Sequence, residues 1–154
     1  MLLIKNRKAL FNYEVIEKYI AGIILYGYET KAVREKRVSF EGAYVKIENG
    51  EAFIVNLHIS RYSHQSQEVD EIKEKRPKKL LLNSGELSQI KKHIQQKGKT
   101  VVPLAFILRN NLIKLEIAVV KGRKAYEKKQ VAKIRQIDKD LQIQKKEFSA
   151  QKDN

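Results

Sequence analysis

Two segments of the sequence place an apolar residue at every second position, and this pattern constrains the fold more than any other feature. Every second residue from Phe53 to Ile59 is apolar, and the same holds from Leu115 to Val119, where Lys114 and Glu116 occupy the alternate positions. Successive side chains of a β-strand point to opposite faces of a sheet. Both segments are therefore predicted to be half-buried strands.

Turn sequences join these strands to neighbours and predict two hairpins. A strand around Val45 leads into Glu48-Asn49-Gly50-Glu51, where Asn-Gly supplies the positive φ angles of a tight turn. The apolar run Val101–Leu108 is predicted to be a strand buried on both faces. Arg109-Asn110-Asn111 then turns the chain back into a strand over Leu112–Lys121.

One helix is marked by its capping residues. Asn83 can cap a helix, Glu86 follows three positions later, and apolar residues then recur at helical spacing, which predicts a helix over about 84 to 97. A shorter helix is predicted within Tyr28–Arg37. Ser60–Lys79 has no apolar period and is predicted to be a long loop.

The composition changes after residue 121. Residues 122 to 154 hold ten Lys or Arg and five Asp or Glu, with too few apolar side chains to form a core alone. Val131, Ile134, Ile137 and Leu141 nevertheless fall on one side of a helix. We therefore predict a β-rich domain over 1–121 and a basic tail over 122–154 that is disordered when free and helical when bound.

The charge balance indicates an anionic partner. Lys and Arg number 32 against 18 Asp and Glu, a net charge of +14, and nucleic acid is the leading candidate. The alternative is that lysine serves only to keep the surface soluble.

The chain has no cysteine, which excludes a disulfide scaffold and a thiol nucleophile and favours a cytoplasmic protein. No signal peptide or membrane span is predicted.

The sequence offers little for catalysis. His58, His64 and His93 are scattered without a second ligand at metal-binding spacing, and no glycine-rich phosphate loop occurs. No enzymatic activity, metal or cofactor is expected.

Basic residues are interleaved with aromatic residues in two places, and a third basic stretch leads into an apolar run. Asn6-Arg7-Lys8 precedes Phe11 and Tyr13, Tyr26 and Tyr28 precede Lys31 and Arg34, and the third is the stretch Arg76-Pro77-Lys78-Lys79 before Leu80. Cations hold phosphates and exposed rings stack on bases, so the pattern is typical of RNA binding. The alternative is that the tyrosines are half-buried and the charges are solvated.

Several motifs, in order, resemble the small protein B (SmpB) family, the tmRNA-binding proteins of bacterial trans-translation. The motifs that carry the resemblance are Asn6-Arg7-Lys8-Ala9, Gly27-Tyr28-Glu29-Thr30-Lys31, Lys79-Leu80-Leu81-Leu82, Thr100-Val101-Val102-Pro103-Leu104 and Lys121-Gly122-Arg123-Lys124. The resemblance implies an oligonucleotide-binding (OB) type of antiparallel β-barrel with flanking α-helices. It further implies a monomeric adaptor that binds the tRNA-like domain of tmRNA. The tail would enter the vacant mRNA channel at the decoding region of the small ribosomal subunit.

The resemblance also implies which residues contact RNA. On the folded domain and just beyond it they are Asn6, Arg7, Lys8, Tyr13, Tyr28, Glu29, Lys31, Arg34, Lys79, Leu81, Asn83, Lys121, Arg123 and Lys124. For the tail, the resemblance implies that the residues in the decoding channel are Glu127, Lys128, Lys129, Lys133 and Arg135.

The chain departs from the family pattern at a few positions. Ile20 replaces a usual acidic residue, Phe11 replaces a common histidine, and Glu127-Lys128-Lys129 replaces Asp-Lys-Arg.

The chief alternative function is a general single-strand RNA-binding or RNA-chaperone module. An RNA-modifying or RNA-cleaving enzyme is a third alternative.

Overall fold

The structure is a computed structural model that describes residues 1–60 and 74–122, together with Ala132 and Gln136. The chain divides into two compact units, Met1–Gly122 and Arg123–Asn154. In the second unit Ala132 and Gln136 are helical. The remaining expectations for the tail, and most of the loop predicted over 60–79, fall outside the described residues.

In the first unit, nine strands and three helices have bounds within the described residues. The strands are β1 (Leu2–Lys5), β2 (Tyr13–Ile23), β3 (Val38–Ser39), β4 (Tyr44–Glu48), β5 (Glu51–Val55), β6 (His58–Ile59), β7 (Lys78–Leu81), β8 (Lys99–Arg109) and β9 (Leu112–Gly122). The helices are α1 (Arg7–Asn12), α2 (Gly27–Arg34) and α3 (Ser84–Ile94).

Seven of the strands form one antiparallel sheet in the order β1-β8-β9-β2-β7-β5-β4, and β3 pairs with β6 separately. This confirms the mainly β, antiparallel class with helices. Among the described strands β1 pairs only with β8 and β4 only with β5, so the hydrogen bonding of the sheet is open at both edges. The expected closed barrel is therefore not present in the strand pairing.

Both predicted hairpins are present. Asn49 and Gly50 adopt φ angles of 52° and 76° between the paired residues Glu48 and Glu51. Asn110 and Asn111, at φ 52° and 62°, join β8 to β9 in the same way. Asparagine and glycine tolerate the left-handed conformation that a two-residue hairpin turn requires.

The single strand predicted through Phe53, Val55, Leu57 and Ile59 is interrupted, so that prediction was wrong. Asn56 has a φ of 60°, which ends β5 at Val55 and turns the chain before β6. The fully buried positions of β5 are Ala52 and Ile54, while Phe53 is half-buried. A residue in the left-handed conformation changes which face of the sheet the following side chains point to. Apolar residues before and after Asn56 therefore still reach the core.

Helix α3 begins as predicted and ends earlier. The side chain of Asn83 accepts a hydrogen bond from the Glu86 N–H at 2.8 Å, and the Glu86 carboxylate accepts one from the Asn83 N–H at 3.2 Å. This capping box fixes the first turn. The last helical residue is Ile94, whereas the prediction extended to 97, and Gly98 lies beyond it at φ 83°.

Strands β8 and β9 are buried on both faces. In β9, Leu115, Ile117 and Val119 join the larger core, whereas Ala118 and Val120 join a smaller core on the other face. Helix α1 contributes Ala9 to that smaller core. The sheet therefore has apolar packing on both sides where β8 and β9 run, as predicted for Val101–Leu108. Strand β9 was predicted to be half-buried, and that prediction was wrong for the second face, where Ala118 and Val120 are buried.

Candidate nucleic-acid interface

The end of β2 that carries Tyr13 lies beside helix α1. Asn6 caps α1 by accepting a hydrogen bond from the Ala9 N–H at 3.3 Å, and its Nδ2 donates to the Pro103 carbonyl at 2.8 Å. Both polar atoms of Asn6 thus have protein partners. Arg7 and Lys8, which follow it, are exposed to solvent.

A groove of about 780 Å³ opens at this end, between α1, the segment from Val38 to Tyr44 and the start of β8. Lys5, Arg7 and Lys8 line it together with one carboxylate, Glu41. No ion pair is found for these three cations among the residues that the structure describes. The groove therefore carries an excess of positive charge.

The strand register adds a further predicted site residue to this end. Tyr13 lies opposite Gly122 on β9, and the exposed Lys121 lies opposite Glu14 on one side and Lys99 on the other. Lys121 is far in sequence from Tyr13 and the N-terminal basic residues, and the sheet brings it to the same end. We name this region the α1 surface.

The opposite end of β2 carries a second group of predicted residues. Gly22 lies opposite Leu81, and the Ile24 N–H donates to the Lys79 carbonyl at 3.0 Å. Leu81 is 53% exposed despite its apolar side chain. The approach is close: a Cβ on Gly22 would lie 3.1 Å from the Leu81 Cβ. Lys79 Nζ lies 3.2 Å from the Glu51 carboxylate.

Helix α2 meets the start of β7 at this same end through a buried carboxylate. Glu29 is 1% exposed, and its Oε1 accepts a hydrogen bond from the Tyr26 N–H at 2.8 Å. The same oxygen pairs with the guanidinium of Arg76, and Oε2 lies 3.8 Å from Lys78 Nζ. Glu29, expected from the resemblance to contact RNA, thus orients two neighbouring cations, Arg76 and Lys78.

Lys78 is completely buried beside this carboxylate. Its Nζ donates to the backbone carbonyls of Leu57 at 3.0 Å, Arg76 at 3.0 Å and Glu74 at 3.4 Å. Burial lowers the pKa of Lys78 to about 8, which Glu29 opposes and Arg76 reinforces. The ammonium group holds together the segment that leads into β7.

The two tyrosines at the start of α2 have different exposures, and Tyr26 is the residue just before the helix. Tyr28 is half-buried, and burial raises the pKa of its hydroxyl. Tyr26 is 54% exposed, and the Arg76 guanidinium lies over its ring, 4.1 Å from the centroid. Lys31 and Arg34 are exposed on the same helix. We name this region, with Leu81 and Asn83, the α2 surface.

The predicted contacts therefore form two surfaces at the two ends of β2. A strand of 11 residues is roughly 33 Å long at ~3.3 Å per residue, so the α1 and α2 surfaces do not form one compact site. Arg123 and Lys124 lie outside the described residues, as do the predicted tail contacts Glu127, Lys128, Lys129, Lys133 and Arg135.

Sequence reasoning placed Tyr26 and Arg76 in the basic-aromatic pattern but not among the contacts. The pairing of Arg76 with Glu29 spans 47 residues of sequence and leaves no local signal. Among the described residues, no group of three or more acidic or histidine side chains is placed to hold a metal ion. No helix in that part of the chain is long and apolar enough to cross a membrane.

Comparisons with known proteins agree on one family. The model of the SmpB protein family matches residues 3–147. The SsrA-binding protein of Treponema denticola is 41% identical over 141 residues, which cover 92% of this chain and 90% of the relative. The SsrA-binding protein of Mycoplasma mobile is 43% identical over 129 residues, covering 83% and 87%.

A solved structure has a similar fold. It is described as "tmRNA-SmpB: a journey to the center of the bacterial ribosome", and its chain superposes with a TM-score of 0.68 at 36% identity. The superposition covers 81% of this chain and 87% of that one.

Proposed function

The chain belongs to the SmpB protein family, and from this premise we propose that it binds SsrA RNA, also called tmRNA, and serves in the rescue of stalled ribosomes by trans-translation. The observation that carries the proposal is the family match over residues 3–147. It is supported by relatives that are named SsrA-binding proteins and that align with this chain over nearly their whole length. The protein acts by binding, as a cytoplasmic adaptor, and not as an enzyme.

The charge distribution supports an RNA ligand. A net charge of +14 attracts a polyanion, and the α1 surface gathers Lys5, Arg7, Lys8 and Lys121 where Tyr13 is also found. Lysine and arginine would hold phosphates, and Tyr13 would stack on a base. These contacts position the RNA and contribute most of the salt dependence of binding.

The finer part of the fold is also a proposal. We propose that the open sheet curls into an oligonucleotide-binding type of barrel without completing the hydrogen bonds of closure. The support is that β4, at one edge of the sheet, contacts β8 although the two strands are not hydrogen-bonded to each other. In such folds a curved sheet and its connecting loops present the nucleic-acid surface.

For the tail, we propose the role that the family resemblance implies. The folded unit holds the tRNA-like domain of tmRNA, and residues beyond Gly122 enter the vacant mRNA channel of the small ribosomal subunit. Basic side chains at Lys128, Lys129, Lys133 and Arg135 suit a path lined by ribosomal RNA.

Recovery and sequencing of the RNA bound in cells tests the proposed function. We expect strong enrichment of tmRNA over other cellular RNA, and tighter binding in vitro to the tRNA-like domain than to an unstructured strand of equal length. The comparison with the unstructured strand is the control for charge alone. Equal binding to both RNAs would contradict the proposal and favour a general single-strand RNA-binding module.

A further inference from the structure

The α2 surface contains an exposed aromatic ring that is fixed in place before any ligand arrives. Tyr26 is 54% exposed, and the Arg76 guanidinium covers part of its ring at 4.1 Å from the centroid. An aromatic ring held by a guanidinium offers a flat, rigid surface, and every nucleobase has a π-face that can stack on such a ring.

Both members of this pair are anchored from the protein interior. Oε1 of the buried Glu29 accepts the Tyr26 N–H at 2.8 Å and also pairs with the Arg76 side chain. The Tyr26 carbonyl accepts the Thr30 N–H at 3.0 Å. One carboxylate oxygen therefore fixes the backbone from which the Tyr26 ring projects and the cation that lies over that ring.

Lys78 fixes the backbone of Arg76 from the other side. Its buried Nζ donates to the Arg76 carbonyl at 3.0 Å and to the Leu57 carbonyl at 3.0 Å. Arg76 is thus held through its side chain by Glu29 and through its backbone by Lys78. Little side-chain entropy remains to be lost when a ligand binds, which is the benefit of preorganisation.

We propose that Tyr26, held by Arg76 and Glu29, is a stacking site for one unpaired base of the bound RNA. Tyr26 contacts the base, whereas Arg76 and Glu29 are positioning residues that keep the ring in place. The exposed Lys31 and Arg34 on the following turns of α2 carry the charge that attracts the phosphates next to that base. The inference rests on the proposed function only for the identity of the RNA.

The site explains why a carboxylate belongs on a surface that binds a polyanion. Glu29 is buried, so it presents little charge to the RNA, and its own charge is matched by Arg76 and Lys78. A buried carboxylate that fixes an arginine over a ring organises the surface without repelling phosphate.

Three variants at position 26 test the stacking site by filter binding to the tRNA-like domain of tmRNA. We expect Tyr26→Phe to bind within about twofold of the native chain, because the ring remains. We expect Tyr26→Leu and Tyr26→Ala to lose roughly 5- to 150-fold, which corresponds to about 1–3 kcal/mol for a stacked base. The slope of affinity against salt should not change, since no phosphate contact is removed. Unchanged affinity in Tyr26→Leu would overturn the proposal.

A double-mutant cycle tests the positioning role of Arg76. Arg76→Lys keeps the charge but loses the flat guanidinium, so we expect it to weaken binding in the native background and to have no further effect in Tyr26→Leu. Additive losses would mean that Arg76 contacts RNA independently, which would overturn the positioning role. Thermal melting of each variant identifies any loss that comes from unfolding.

A second RNA separates this inference from the proposed function. Each variant is also titrated with a short, mixed-sequence single-stranded RNA, on which a base can stack without any tmRNA fold. If the native chain prefers neither RNA but Tyr26→Leu loses affinity for both, the proposed function fails and the stacking site stands. If the native chain selects the tRNA-like domain and Tyr26→Leu binds it equally well, the stacking site fails and the proposed function stands.

Discussion

At the scale of single residues, Lys78 makes stability depend on pH in an unusual range. Burial lowers its pKa from 10.5 to about 8, so between these values the unfolded chain binds more protons than the folded chain. The free energy of unfolding therefore rises with pH above about 8. Burial also raises the pKa of Tyr19 from 10.0 to about 12, so the unfolded chain loses that proton first and stability falls above about pH 10.

We therefore expect the free energy of unfolding to increase by on the order of 2 kcal/mol between pH 8 and pH 10 and then to decrease. Urea unfolding at several pH values measures it. Lys78→Met is the matched variant, because it removes the titrating group and should abolish the rise whatever its absolute stability. A native chain whose stability is flat or falls between pH 8 and pH 10 would contradict the burial of a charged lysine.

Asn83 is a predicted RNA contact whose side chain also caps α3. We predict that Asn83→Ala weakens RNA binding by more than it weakens the fold, where the loss of a cap costs about 0.5 to 2 kcal/mol. Thermal melting and filter binding are measured on the same preparation. Asn83→Ser, which keeps a capping oxygen, is the control. A drop in melting temperature with unchanged RNA affinity would leave Asn83 with the capping role alone.

At the scale of elements, the turns were predictable because their chemistry is local. Asn49-Gly50 and Asn110-Asn111 occupy turn positions that require a left-handed backbone conformation with positive φ. Two adjacent residues of this kind are enough to recognise such a turn in a sequence. The β8–β9 pair followed from its turn and from the alternation over Leu115–Val119.

Strand β2 was not predicted from the sequence, because a bulge inside the strand interrupts the alternation of buried and exposed side chains. The register shifts between Val15 and Glu17, and a bulge of this kind exchanges the faces of the residues on its two sides. Asn56 broke the alternation of β5 and β6 in a related way. The contact between Glu29 and Arg76 escaped prediction for a different reason, because it depends on how distant segments pack.

The β4–β5 turn allows a test of backbone strain that involves no packing. Gly50 has a φ of 76°, and a Cβ there would meet nothing within 4 Å. Gly50→Ala should therefore destabilise the fold by about 1–2 kcal/mol through the left-handed conformation alone. Gly27→Ala is the control, since a Cβ there also meets nothing but the residue is helical, and it should be neutral or slightly stabilising. Equal effects of the two substitutions would contradict this account.

At the scale of the whole molecule, the two ends of β2 and the tail suggest a division of tasks. Sequence reasoning identified the residues of both surfaces but not their separation, because the length of β2 that divides them was not foreseen. The two ends of β2 lie up to roughly 33 Å apart, and reaching both ends suits a folded RNA better than a short strand.

Truncation after Gln130 tests the proposed role of the tail. The shortened chain keeps Lys121, Arg123 and Lys124, so we expect nearly unchanged affinity for tmRNA but no peptide tagging on stalled ribosomes. A full-length variant with the residues after Gln130 in scrambled order is the control for charge, and it should also fail in tagging. Full tagging by the scrambled tail, or collapse of tmRNA binding on truncation, would contradict a specific role for this segment.

The pairing of the first strands with the last has a consequence for how the protein is made. Tyr13 on β2 lies opposite Gly122, and among the described strands β1 pairs only with β8, which begins at Lys99. At about 5–20 residues per second, translation delivers the partner strands some 5–20 s after β1 and β2 have been synthesised. Until then the nascent chain carries Arg7, Lys8 and Tyr13 without β9, the strand that adds Lys121 to this end. A copy interrupted before Lys99 therefore lacks the strands that complete the α1 surface, and RNA binding at this surface has to wait for a finished chain.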